Sequence, residues 1–122
     1  MATRVLIIED EPNIIESLSF VLRRDGFEAS CVLDGEAAMH RLRSDPPDVV
    51  ILDLMLPKLN GFEVLKLVKS DPRLRSTPVM VLTAKGQAQD RRMAEEIGAD
   101  GFMTKPFSNR EIVQEMQRLT RT

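Results

Sequence analysis

Four short apolar runs, each closed by polar residues, limit what this chain can fold into. Val5-Leu6-Ile7-Ile8 leads straight into Glu9-Asp10, and Val49-Val50-Ile51-Leu52 leads straight into Asp53. Val79-Met80-Val81-Leu82 ends at Thr83, and a shorter run near Phe102-Met103 ends at Thr104-Lys105-Pro106. Unbroken apolar runs of this length suit strands buried on both faces rather than alternating surface strands. If the strands are parallel, Glu9, Asp10, Asp53, Thr83 and Lys105 gather at one edge of one sheet.

Helical patterns fill the intervals. Pro12 suits a first helical turn and opens a stretch with Ile14, Ile15, Leu18, Val21 and Leu22 on one side, stopped at Gly26. A strand over 27–32 follows. Asp34-Gly35 starts a helix with Ala37, Ala38, Met39 and Leu42 that Pro46-Pro47 ends. After the loop over 57–61, Phe62, Val64, Leu65 and Val68 mark a third helix, closed near Asp71-Pro72. Pro78 introduces the fourth strand, and a helix over about 87–97 stops at Gly98. Ser108 and Glu111 have the spacing of a capping box, opening a last helix with Ile112, Val113, Met116 and Leu119 inward. Five strand-helix units predict an α/β fold, (βα)5, with a doubly wound parallel sheet and right-handed crossovers. In a 2-1-3-4-5 order the first and third strands are neighbours, and Glu9-Asp10 faces Asp53 across the crevice where such sheets bind ligands.

Bulk properties narrow the function. The 122 residues make one domain, either standing alone or cut from a longer protein. The 17 basic and 19 acidic residues are dispersed, and the only aromatics are five Phe, so this segment is not expected to bind nucleic acid directly. Cys31 has no partner for a disulfide within the chain, in keeping with a reducing, cytoplasmic compartment. Nothing in these residues resembles a signal peptide, and no apolar run approaches the roughly 20 residues that cross a bilayer. His40 and Glu11 read as solvated side chains. Cys31 and the seven Met read as core filling.

The crowded carboxylates carry the chemistry. Two carboxylates some 4 Å apart repel by about 4 kcal/mol at intermediate dielectric, so either a proton or a cation must sit among them. Hard oxygen ligands suit Mg²⁺, with Mn²⁺ as the alternative, and a lone His and a lone Cys build no zinc site. A carboxylate on the crevice floor can also act as a nucleophile toward phosphorus, giving an acyl phosphate. Lys105 supplies an ammonium group for charge on a transferred phosphoryl, and Thr83 a hydroxyl to hydrogen-bond one of its oxygens.

Five motifs in order give the chain a family resemblance: Ile7-Ile8-Glu9-Asp10-Glu11-Pro12, Ile51-Leu52-Asp53-Leu54-Met55-Leu56-Pro57, Asn60-Gly61, Val81-Leu82-Thr83-Ala84 and Lys105-Pro106-Phe107. Over its whole length the chain resembles the receiver domain of two-component response regulators, a flavodoxin-like fold, and most of all receivers of winged-helix transcription regulators. The resemblance implies that Asp53 is the phosphoacceptor. It implies Mg²⁺ held by Asp10, by Glu9 directly or through water, by Asp53 and by the Met55 backbone carbonyl. Thr83 would be the switch hydroxyl, Lys105 the partner of the phosphoryl group, and Phe102 the rotating switch aromatic. Lys105-Pro106 matches a peptide bond commonly cis in that family. Met55 and Lys85, flanking the site, would influence phosphoryl lifetime.

The implied partners are a histidine kinase or phosphotransfer protein, docking around Ile14, Ile15 and Leu18, and an effector domain or downstream protein. Phosphorylation would reshape the face of the fourth helix, fifth strand and fifth helix. There Arg91 and Glu111 match a pair across a phosphorylation-dependent homodimer, whereas Glu115 stands where those relatives usually carry a basic residue, with Arg118 about a turn later. Such a domain is a relay, catalysing only its own phosphorylation and dephosphorylation. An aspartyl-nucleophile hydrolase of the haloacid-dehalogenase type would need Asp where Met55 stands, and no Gly-x-Gly-x-x-Gly or Walker loop supports nucleotide binding. A degenerate, docking-only receiver is the remaining alternative.

Overall fold

The apolar runs become the strands of a single parallel sheet in the computed structural model, which describes residues 2–84 and 88–121. In chain order the elements are β1 (Arg4–Ile8), α1 (Pro12–Arg24), β2 (Glu28–Val32), α2 (Gly35–Ser44) and β3 (Val49–Asp53). They continue as α3 (Gly61–Ser70), β4 (Val79–Ala84), α4 (Ala88–Ile97), β5 (Gly101–Lys105) and α5 (Asn109–Thr120). The strand order is β2-β1-β3-β4-β5 with every pairing parallel, the expected doubly wound arrangement. No helix among the described residues is long and apolar enough to cross a membrane.

Period-two alternation divides the apolar runs between two cores. Leu6, Ile8, Val50, Leu52, Val79 and Val81 pack under α2, α3 and α4, through Leu42, Leu65 and Ala94 among others. Val5, Ile7, Val49, Ile51, Met80 and Leu82 pack under α1 and α5, through Leu18, Leu22, Ile112 and Met116. Burying one such Leu or Ile side chain contributes about 1.5–3 kcal/mol, so the central strands are fixed from both faces.

Local signals set the helix ends. Pro12 sits in the first turn of α1, and the Asp34 carboxylate accepts the Ala37 N–H at 2.8 Å to cap α2. Ser108 and Glu111 form the anticipated capping box on α5. Gly26 and Gly98, both at positive φ, follow α1 and α4 as stops. Phe27 belongs to the exit turn of α1 rather than to β2, because its N–H donates to the Leu22 carbonyl at 2.9 Å. Asn60, not anticipated as a cap, accepts the Glu63 N–H at 3.1 Å and starts α3 at Gly61. The first position expected in the fourth helix, Gln87, and the flanking Lys85 lie outside the described residues.

Two packing expectations are corrected. Cys31 is exposed, because β2 is an edge strand with one neighbour and incomplete cover. Met39, Met80, Met103 and Met116 are buried, whereas Met55, in the loop after β3, and Met93, on α4, are exposed.

Candidate functional site

The carboxyl ends of β1, β3 and β5 meet in one crevice. β1 and β3 are adjacent in register, Ile8 opposite Leu52, so the residues that follow, Glu9 and Asp53, emerge side by side. Carboxylate oxygens of Glu9, Asp10 and Asp53 all lie within 4.8 Å of one another. Asp53 is nearly buried and Glu9 is wholly so, while Asp10 is exposed at the crevice mouth. β4 and β5 complete the edge: Leu82 is paired with Asp53, and Thr83, buried, is one position further and opposite Thr104.

Lys105 reaches back into the crevice from the end of β5. Its Nζ donates to Asp53 Oδ2 at 3.2 Å and lies 3.1 Å from Glu9 Oε1. The contact to Glu9 is within ion-pair range but poorly aligned, so Oε1 is buried without a hydrogen-bond donor. The other Glu9 oxygen accepts the Asp10 N–H at 3.0 Å, and Asp53 Oδ1 accepts the Met55 N–H at 3.1 Å. The Lys105–Pro106 peptide bond is cis.

The electrostatics follow from this crowding. Burial first, then the close approach and the charge of the Asp53 carboxylate, push the Glu9 carboxyl up to about 8, with Lys105 pulling against them. Burial acts to lower the Lys105 ammonium, but the attraction of Asp53 and Glu9 outweighs it and raises the group. Around neutral pH, then, a proton on Glu9 relieves the acidic cluster. A hard divalent cation would relieve it in the same way: the donor set is all oxygen, and the undonated Glu9 oxygen is the kind of buried group such an ion satisfies.

The backbone supports the site from beneath. Gly61, at the start of α3, lies so close to the end of β3 that a Cβ would overlap the Leu54 Cα and the Asp53 carbonyl oxygen. Its N–H donates to the Leu54 carbonyl at 3.1 Å, tying α3 to the strand that carries Asp53. Phe102 is half-buried on β5 opposite Val81, packed against the core under α2, α3 and α4, with the Arg91 guanidinium carbon 4.8 Å from its ring centroid. Beside the crevice, Ile14, Pro106 and Phe107 line an open groove with Asn13, Ser17 and Asn109. Pro106 and Phe107 were not anticipated beside Ile14, though they adjoin Lys105 in sequence. Leu18 does not join that groove: it is fully buried under α1, facing the sheet.

Known proteins resemble this chain in sequence and in fold. The family model described as the response regulator receiver domain matches residues 5–117. The phosphate regulon transcriptional regulatory protein PhoB of Escherichia coli is 40% identical over 121 residues, 99% of this chain and 53% of that protein. The alkaline phosphatase synthesis transcriptional regulatory protein PhoP of Bacillus subtilis is 37% identical, across 99% of this chain and 50% of that protein. The chain thus spans about half the length of these curated relatives. Among solved structures, a putative response regulator from Chloroflexus aurantiacus superposes with a TM-score of 0.96 at 30% identity, covering 100% of both chains. The chemotaxis response regulator CheY4 of Vibrio cholerae gives 0.91 at 28% identity, covering 98% of this chain and 99% of that one.

Proposed function

Since the chain belongs to the response regulator receiver domain family and is a receiver of two-component signalling, we propose that Asp53 is its phosphoacceptor. The observation that carries this is the setting of Asp53: nearly buried at the end of β3, within 4.8 Å of two other carboxylates and 3.2 Å from the Lys105 ammonium. A carboxylate so placed, on the floor of an acidic crevice with a cation at hand, is a nucleophile with its charge already managed.

The donor is a phosphohistidine on a kinase or phosphotransfer protein, docked on the groove of Ile14, Pro106 and Phe107. An Asp53 carboxylate oxygen attacks phosphorus, a P–O bond forms, and the P–N bond breaks with its electron pair passing to the departing imidazole. Glu9, Asp10, Asp53 and the Met55 carbonyl would hold Mg²⁺, which when bound offsets charge on the phosphoryl oxygens. Lys105 follows the negative charge from the Asp53 carboxylate onto the phosphoryl group, and Thr83 donates its hydroxyl to a phosphoryl oxygen. Phe102 turns inward as Thr83 shifts, changing the face of α4, β5 and α5. The phosphoryl group biases this change only through contacts that differ between the two states. The only reactions catalysed are gain and loss of that group, and an effector domain or downstream protein reads the outcome.

Intact-mass spectrometry after incubation with acetyl phosphate tests the assignment. Wild type should gain one phosphoryl group in a Mg²⁺-dependent manner, and folded Asp53→Asn should gain none. Equal gain by the variant, or a folded wild type that neither gains mass nor binds beryllofluoride, would overturn it.

A further inference from the structure

The loop between β3 and α3 is fastened at both of its ends by glycines. Gly61, on the α3 side, abuts the backbone of Asp53 and Leu54. Gly35, the first residue of α2, abuts the far limb of the loop: a Cβ there would overlap the carbonyl oxygen and carbon of Leu59. Gly35 is not at positive φ, so it is this contact, and not its own backbone conformation, that excludes a side chain. The obstacle is backbone, which cannot rotate aside as the tip of a flexible side chain would. Between the two glycines Lys58 adopts φ 64°, a left-handed conformation that persists in a non-glycine residue where the surroundings impose it. Asp34 touches the same junction: one carboxylate oxygen accepts the Ala37 N–H at 2.8 Å, and the other lies 3.8 Å from Lys58 Nζ. Lys58 is largely exposed, so that ion pair adds little, and Gly35 carries the contact.

The consequence lies at Met55. Its N–H donates to Asp53 Oδ1 at 3.1 Å, and its carbonyl is one of the groups assigned above to Mg²⁺. The Met55 side chain is exposed, so its own packing does not place its peptide. The neighbours do. Leu54 is pinned on one side by Gly61, and on the other side Leu59 is pinned by Gly35. Leu56, which is buried, and Pro57, whose ring fixes φ, leave few dihedrals between Met55 and Leu59 to absorb a displacement. A shift of Leu59 away from α2 is therefore passed back to Met55.

We propose that Gly35 is a positioning residue of the acidic crevice: by letting α2 close on Leu59 it sets the peptide of Met55, and with it the affinity of the crevice for Mg²⁺. The proposal rests on the reading of the Met55 carbonyl as a Mg²⁺ ligand. It is tested by calorimetric titration with MgCl₂, and by the Met55 amide resonance of the metal-free protein in EDTA, on wild type, Gly35→Ala and Gly26→Ala. Gly26 supplies the control, because a Cβ there meets nothing within 4 Å but strains a backbone at φ 90° far from the loop. Gly35→Ala should bind Mg²⁺ about tenfold more weakly than wild type and move the Met55 resonance even without metal. Gly26→Ala should be less stable than wild type yet keep both wild-type values. Should Gly35→Ala fail to fold, Leu59→Ala slackens the same contact with Gly35 in place and should weaken Mg²⁺ binding about threefold. A folded Gly35→Ala that keeps either the wild-type affinity or the wild-type Met55 resonance would overturn the proposal, as would an equal loss in Gly26→Ala, or wild-type affinity in Leu59→Ala. In each of these cases wild type still binds Mg²⁺ and the reading of the crevice stands; a wild type that binds no Mg²⁺ overturns the metal reading and the proposal together.

Discussion

Replacing Glu9 with Gln should remove most of the pH dependence of folding stability in the metal-free protein between about pH 5 and pH 8. Glu9 has no solvent exposure, and burial together with Asp53 lifts its carboxyl from 4.5 to about 8 in the folded chain. Unfolded, the same group ionises near 4.5. Below that pH both states hold the proton, and the fold carries no ionisation penalty. As pH rises further, the unfolded chain releases a proton that the folded chain keeps, so stability falls until the folded group ionises too, near 8.

The size of the loss follows from the same values. A lift from 4.5 to about 8 converts to at most about 5 kcal/mol. Water at the mouth of the crevice, where Asp10 is exposed and Lys105 half-buried, screens this to about 2 kcal/mol. Urea unfolding followed by circular dichroism, with EDTA present, measures it at several pH values. The stability difference between Glu9→Gln and wild type should shift by about 2 kcal/mol in favour of the variant as pH rises from 5 to 8. Millimolar Mg²⁺ should then stabilise wild type more at pH 8 than at pH 5, because the ion needs the ionised carboxylate. Parallel stability profiles for the two proteins across this range would refute the reasoning.

Lys105→Ala should retain part of the phosphoryl uptake yet lose its transmission, since the ammonium 3.2 Å from Asp53 links the site to β5. Normal phosphate-dependent chemical-shift changes across α4 and α5 in that variant would contradict this. Gly61→Ala should lower stability by about 1–3 kcal/mol, because the added methyl must displace the backbone at Asp53–Leu54 rather than a flexible side chain. Because the displaced segment carries the proposed phosphoacceptor, the rate of phosphoryl uptake should fall as well. Denaturant titration and intact-mass time courses read the two effects.

The strands, and the residues that gather at their ends in the crevice, were legible in the sequence because burial on both faces leaves an unmistakable record. A run such as Val49-Val50-Ile51-Leu52 tolerates no polar residue, so the first acid after it, Asp53, marks the strand end and the site together. Helix ends were legible where the capping side chain lies within three residues of its target, as at Ser108 and Glu111. What stayed hidden depends on which distant elements lie side by side. Glu9 and Asp10 look equivalent as neighbours in sequence, yet one is wholly buried and the other exposed, a difference made by Lys105 and Asp53 closing over only the first. Cys31 looks like a core residue until β2 is known to be an edge strand.

The same holds for the face of α4, β5 and α5. Glu115 and Arg118 have helix spacing that brings them together, so their pairing alone was within reach of the sequence. That the pair also occupies the space above Gly101 required β5 to be placed beside α5. The crevice and the face of α4, β5 and α5 therefore have different origins. The first is set by strand ends, which parallel pairing forces into one line; the second is set by which side chains of α5 settle over β5, as the Arg118–Glu115 pair does beside Gly101.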